Sequence, residues 1–238
     1  MDLGKNSIPI LPILYSKLGV FLGMICGFNL KAMSKNTEIR HSEWFGPTTF
    51  FDHPPHPTPS TMRAHFPSLI PQNPEEHYTP LLHPSRRGET ILELHNRVAT
   101  ALEGIIADLD AEIAALEADI PPEKRTSKSV LICSHAAPLI AMGRVLTGNM
   151  PEDSSDEDFF VFVAGLSTFR RRGSQGSTEY AADSSEDERA LRVLAEGTKL
   201  VRARNVPGWM GGRGVGGGWD CVSNGDCSFL SNGAERGW

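Results

Sequence analysis

The feature that most constrains the fold is the stretch Ser129-Val-Leu-Ile-Cys-Ser-His135-Ala-Ala-Pro-Leu-Ile-Ala-Met-Gly-Arg144-Val-Leu-Thr-Gly148. Val130 to Ser134 is an apolar run of strand length. Leu139, Ile140, Met142, Gly143 and Leu146 then repeat apolar or small groups every three or four residues, as a buried helix face does. Gly148 is a natural helix stop. The unit reads as strand, His135, helix. In open α/β sheets, strand carboxyl ends and helix amino ends meet at a ligand-binding crevice, which makes His135 a candidate binding residue. A histidine that only caps the helix is the other reading.

The longest periodic segment runs from Thr90 to Ile120. Ile91, Leu94, Val98, Leu102, Ile105, Ile106, Leu109, Ile113, Leu116 and Ile120 follow helical steps, and Pro121-Pro122 ends them. Glu89 suits the positive end of the helix dipole. About 30 residues at 1.5 Å each outrun a small domain, so the Asp108–Asp119 end is expected to project or turn back. After the His135 unit, Phe159 to Ala164 reads as a second buried strand, and Gly165 to Phe169 as the approach to an edge strand closing on Arg170-Arg171-Arg172.

Three segments in order carry a family resemblance: Ser42-Glu43-Trp44-Phe45-Gly46, Arg86-Arg87-Gly-Glu-Thr-Ile-Leu-Glu-Leu-His-Asn-Arg-Val98, and Ser134-His135-Ala-Ala after its strand. Together they resemble the second half of a histidine phosphatase (phosphoglycerate mutase-like) domain over about residues 41–172. Within that family, the likeness is to fungal proteins related to the phosphatase-like subunit of the RNA polymerase III factor TFIIIC, whose ending the last 22 residues also resemble. The resemblance implies an α/β three-layer sandwich with a mostly parallel sheet, incomplete here at its amino end. It implies that His135 binds a phosphoryl group and that Glu43 is the acid for the leaving oxygen. Arg87 is the candidate for added positive charge at the phosphate, although surface exposure is its alternative.

The family's nucleophile lies in an Arg-His-Gly segment after the first strand, and these 238 residues contain none. Arg40-His41-Ser42 is the one Arg-His pair; it adjoins Glu43 and follows no convincing strand. Ile13-Leu14-Tyr15-Ser16 resembles the start of the family's Tyr-Ser-Ser-Pro segment, but Lys17 and Leu18 replace Ser-Pro and Phe21 stands where an arginine is expected. Without a covalent nucleophile, the remaining groups only bind and polarise. The expectation is a phosphatase-like protein with impaired catalysis. The alternatives are a non-catalytic TFIIIC subunit, or an active phosphomonoesterase where a fuller amino terminus supplies the nucleophile.

Composition sharpens the partner classes. Lys and Arg number 23 against 29 Asp and Glu, a net charge of −6, which argues against direct nucleic-acid binding. The partners implied are a phosphorylated ligand and proteins of a transcription complex, in nucleus or cytoplasm. No cofactor and no metal is expected: His53, His56, His65, His77 and His83 fall in a proline-rich stretch with no zinc spacing. Four irregularly spaced cysteines suit a reducing compartment. Ile8 to Leu30 is apolar with glycines every four residues and admits a membrane helix, against which Lys17 counts, or a strand and helix of the domain.

The chain thus divides into an atypical segment 1–40, a partial domain 41–172, and an acidic, Gly-rich tail 173–238 expected to be flexible or disordered, within which Ala190 to Val206 reads as paired strands or a short amphipathic helix. Gly208 to Gly218 is costly to order without a partner. Trp209, Trp219, Phe229 and Trp238 read either as docking anchors or as groups packed back on the domain.

Overall fold

The computed structural model describes residues 10–15, 44–53, 58–65, 67, 72–73, 79–173 and 190–235. The central element is the helix pair that the periodicity predicts. Helix α2 runs over Ile91–Leu116 and helix α3 over Ala136–Thr147; a short α1 (Pro59–His65) precedes them. α2 starts at Thr90, whose hydroxyl accepts from the Glu93 amide while the Glu93 carboxylate accepts from the Thr90 amide, a reciprocal capping box. α3 ends at Gly148, whose φ of 80° turns the chain and whose amide returns to the Arg144 carbonyl at 2.8 Å. Val98, Leu102, Ile105 and Ile106 of α2 meet Leu139, Met142, Val145 and Leu146 of α3 in one core cluster. Burial on α2 stops at Ile106; Leu116 is exposed, so the far end projects as its length requires.

A four-stranded sheet lies against these helices in the order β3-β1-β4-β6, formed by β1 (Ile10–Tyr15), β3 (Ile132–Ser134), β4 (Leu166–Arg171) and β6 (Trp219–Asp226). A second small sheet pairs β2 (Leu82–His83) with β5 (Lys199–Leu200). The chain is therefore mixed helix and strand, as the sequence implies. A mostly parallel sheet is not what forms among the described residues. β1 and β3 run parallel, with Leu14 opposite Cys133 and Tyr15 opposite Ser134, whereas β4 is antiparallel to both β1 and β6. The reason is connectivity: β4 returns from the far side of α3 beside β1, and β6 pairs with it in turn.

Two further expectations are corrected. Phe159 to Ala164 is not a strand. Its backbone finds scattered partners instead of a ladder: the Phe160 amide donates to Asn224 Oδ1 at 2.9 Å and the Val163 amide to the Glu235 carbonyl at 2.8 Å. Ala164, at φ 58°, then breaks the extended chain. β4, expected at the edge, is interior because β6 covers it.

β6 belongs to the segment expected to be disordered, and so do three core residues, Trp209, Val215 and Trp219. Over 190–235 the glycine-rich chain is ordered by partners that its own composition does not reveal. Arg171 Nε donates to the Gly216 carbonyl and Arg172 Nη1 to that of Gly212, both at 2.6 Å, and the Gly212 amide donates to the Gly148 carbonyl at 2.9 Å. Trp209 and Trp219 are almost fully buried, which takes the packed-back alternative for both. Residues 174–189 lie outside the described residues, as does Trp238.

The apolar run at 8–30 is strand where it is described, over Ile10–Tyr15, which removes its first part from any spanning helix. Among the described residues no helix is long and apolar enough to cross a membrane.

One packing detail gives a direct test. A Cβ at Gly143 would sit 2.5 Å from the Phe159 ring, which also packs on Phe169 with ring centroids 5.9 Å apart. Gly143→Ala is therefore expected to cost about 1–3 kcal/mol by overpacking, measured by urea unfolding. The same substitution in a Phe159→Ala background should cost clearly less, since the two sites share one contact.

Candidate functional site: the strand–helix corner at His135

His135 stands where β3 ends and α3 begins. Its backbone is extended, φ −100° and ψ 168°, while its carbonyl already accepts from the Leu139 amide at 3.0 Å, so it occupies the N-cap position. The imidazole makes no capping hydrogen bond, so His135 caps the helix through its backbone alone. The first turn of α3 is Ala136-Ala137-Pro138, with no acidic residue. Two amides and the positive dipole end therefore have no internal carboxylate to neutralise them, the arrangement that favours an oxyanion. β1 runs out beside this point, with Tyr15 opposite Ser134.

Cys133, one residue before Ser134, is a free thiol, and burial pushes its pKa up, which disfavours the thiolate. Among the described residues no three His, Cys, Asp or Glu side chains group as metal ligands. The two clefts identified, of about 270 Å³ and 220 Å³ counting their open mouths, are lined by other residues and not by His135.

The other predicted site residues fare differently. Glu43 and the Arg40-His41 pair lie outside the described residues. Arg87 is placed: its side chain is 59 % exposed, with Nε 2.7 Å from Asp52 and Nη1 donating to the Thr49 carbonyl at 3.3 Å. Its charge is engaged by a carboxylate on the 44–53 loop, which leaves less of it for a phosphoryl group.

The structure does join two of the three family-like segments. Trp44 Nε1 donates to the Glu89 carbonyl at 3.0 Å, and the Glu89 amide donates to the Phe45 carbonyl at 2.9 Å. The Glu-Trp-Phe segment is thus tied to the start of α2. Beneath the joint lies a buried pair of Arg97 with Glu89, the residue that the sequence assigns only to the helix dipole. Arg97 Nε donates to both carboxylate oxygens, at 2.9 and 2.8 Å, with side chains only 1 % and 6 % exposed. The signal was available in Arg97 standing beside Val98 on the helix, among positions that periodicity assigns to the core.

His95 and Asn96 are likewise buried and were likewise missed. Asn96 Oδ1 accepts from Trp209 Nε1 at 3.1 Å, and its Nδ2 donates to the Leu191 and Val193 carbonyls at 2.7 and 2.9 Å. His95, Asn96 and Arg97 are consecutive, so they lie on different sides of α2 near its start; all three are buried, and each has its own partner: Ile91, the 191–209 segment and Glu89.

Compared with known proteins, the chain matches no family model and no curated protein.

Proposed function

We propose that this chain is a histidine-phosphatase-like protein that binds a phosphoryl group at the His135 corner and turns it over poorly if at all. The single observation that supports this most is the placement of His135 at a helix start with no first-turn acid, at the end of a parallel strand pair. β1 fills the place beside the His135 strand that the family gives its first strand. The residues that follow it are Ser16-Lys17-Leu18, with no histidine to attack phosphorus. On this reading His135 holds the phosphoryl oxygens, Glu43 completes the pocket as its acid, and Arg87 adds charge at the rim. The reading carries with it the family's three-layer sandwich and mostly parallel sheet, of which β1, β3 and α3 would be the surviving corner.

The test pairs turnover with binding. Wild-type chain is expected to hydrolyse p-nitrophenyl phosphate no faster than His135→Ala, while binding vanadate at least tenfold more tightly than that variant. Hydrolysis that His135→Ala abolishes would reject the impaired-catalysis reading in favour of an active phosphomonoesterase. Equal vanadate binding by the two proteins would reject the site.

A protein-interaction role, as a non-catalytic subunit of the TFIIIC kind, is the second reading. The exposed end of α2, with Leu116 63 % accessible, favours it. Co-purification with RNA polymerase III factor subunits, lost when Leu116 and Ile120 become glutamate, is its expected result.

A further inference from the structure

We propose that Asn232 is a site of spontaneous deamidation, and that the fold protects the identical Asn-Gly pair at 224–225 from the same reaction. The tripeptide Ser-Asn-Gly occurs twice near the end of the chain, as Ser223-Asn224-Gly225 and Ser231-Asn232-Gly233. The reacting groups are the same in both, and only their surroundings differ.

The reaction needs no partner but water. The glycine backbone nitrogen, having lost its proton to solvent, attacks the asparagine Cγ. A C–N bond forms, the Cγ–Nδ2 bond breaks, and ammonia leaves with a proton taken from water. Water then opens the five-membered succinimide at either carbonyl, giving aspartate or isoaspartate. The net change is an amide plus water to a carboxylate plus ammonium. Glycine favours it because no Cβ obstructs the approach to its nitrogen. The side chain and the following peptide plane must also be able to turn toward each other.

Asn224 is held against that motion. It lies in β6, where the side chain stands off the strand roughly perpendicular to the sheet. Its Oδ1 accepts from the Phe160 amide and its Nδ2 donates to the Asp158 carbonyl, both at 2.9 Å. The Gly225 amide donates to Ser167 Oγ at 2.9 Å. Phe160 also closes on Gly225 so tightly that a Cβ there would lie 2.8 Å from it, which leaves the peptide plane no room to swing.

Asn232 lacks these restraints. Ser231, Asn232, Gly233 and Ala234 are all exposed, outside the sheet. Its side chain makes no hydrogen bond among the described residues. A Cβ at Gly233 would meet nothing within 4 Å, and the bond from the Gly233 amide to the Leu230 carbonyl is long, at 3.2 Å. The consequence reaches beyond this turn. The isoaspartyl product carries the main chain through the former side chain, which adds one methylene between 232 and 233. Glu235 then shifts against Val163, whose amide donates to its carbonyl at 2.8 Å.

Incubation of the full chain in warm, mildly alkaline buffer, folded and in urea, tests the proposal. Trypsin releases residues 214–236 as one peptide carrying both sites, and fragment masses assign the one-dalton gain to each. In the folded chain Asn232 should react at least tenfold faster than Asn224, while in urea the two rates should agree within about twofold. Asn232→Gln, whose side chain would have to close a six-membered ring, should lose nearly all the gain at 232 and leave 224 unchanged. Hydrogen exchange at the Val163 amide should be at least tenfold faster in the isoaspartyl chain than in fresh chain, a change absent from Asn232→Gln incubated alongside. Equal rates at the two sites in the folded chain, or a faster reaction at Asn224, overturn the inference. A tenfold difference that persists in urea does so too, because it places the cause in local sequence and not in the fold. Unchanged exchange at Val163 overturns the consequence drawn for its bond to Glu235.

Discussion

Replacing Arg97 by alanine should cost about 3–5 kcal/mol of folding stability, the largest effect expected of any single substitution here. Arg97 and Glu89 are both nearly inaccessible, and the guanidinium grips the carboxylate through Nε and Nη2. Removing one partner leaves the other charged and unpaired in the core, which costs far more than the net worth of the pair. The contrast that proves the cause is a double variant, Glu89→Gln with Arg97→Met. It removes both charges, keeps the volume close, and should recover most of the loss. Urea unfolding at pH 7 measures all three proteins. A loss under about 1 kcal/mol in Arg97→Ala would show that water reaches the site on unfolding only slightly more than it does in the folded state. Because the Glu89 backbone also carries Trp44 and Phe45, the single variant should expose the Trp44 indole, seen as a red-shifted emission.

Acid is expected to weaken the fold over a defined window through His95. Its Nδ1 donates to the Ile91 carbonyl at 2.7 Å, its ring stacks on Trp209 at 5.8 Å, and its Nε2 is buried without a partner among the described residues. Burial pushes its pKa from 6.5 down to about 4, against the raising effect of the Ile91 carbonyl; the Arg144 guanidinium lowers it further and Asp158 partly offsets that. The sign follows from linkage. Above pH 6.5 the ring is neutral in folded and unfolded chains alike, and its contribution is fully present. Between pH 6.5 and 4 the unfolded chain takes up a proton that the folded one refuses, so stability falls as pH falls. Below pH 4 both forms are protonated and the loss levels off, at about 3 kcal/mol for a shift of this size. His95→Phe keeps a ring against Trp209 and removes the titration. Its stability should therefore fall less steeply across the window than that of the wild type. Parallel curves for the two proteins would mean that other groups carry the acid dependence.

The His95 and Arg97 results bear on how far the candidate site is independent of the rest. Both residues sit on α2, which packs along α3, and α3 begins at His135. Loss of vanadate binding in an α2 variant would thus report a loosened α3 start. Loss in His135→Ala with an unchanged melting temperature would report the site itself.

Sequence alone determined the local elements, because their causes are local. Thr90 and Glu93 cap α2, Gly148 ends α3, and apolar periodicity marks their inward faces, although α2 ends at Leu116, short of the Pro121-Pro122 stop that the sequence suggests. The position of His135 at a strand-to-helix junction was legible for the same reason. What only the tertiary structure decided was everything that depends on who pairs with whom. The glycine-rich segment is expensive to order by itself, yet Arg171 and Arg172 donate to its carbonyls and the Gly148 carbonyl accepts from its Gly212 amide, so Trp209 and Trp219 enter the core. The direction of β4 and its interior place follow from β1 on one side and β6 on the other, separated from it by more than 40 residues of chain. Buried charge behaves alike: periodicity puts Arg97 among core positions, but only the fold shows that Glu89, just before the helix, is the carboxylate that pairs with it there.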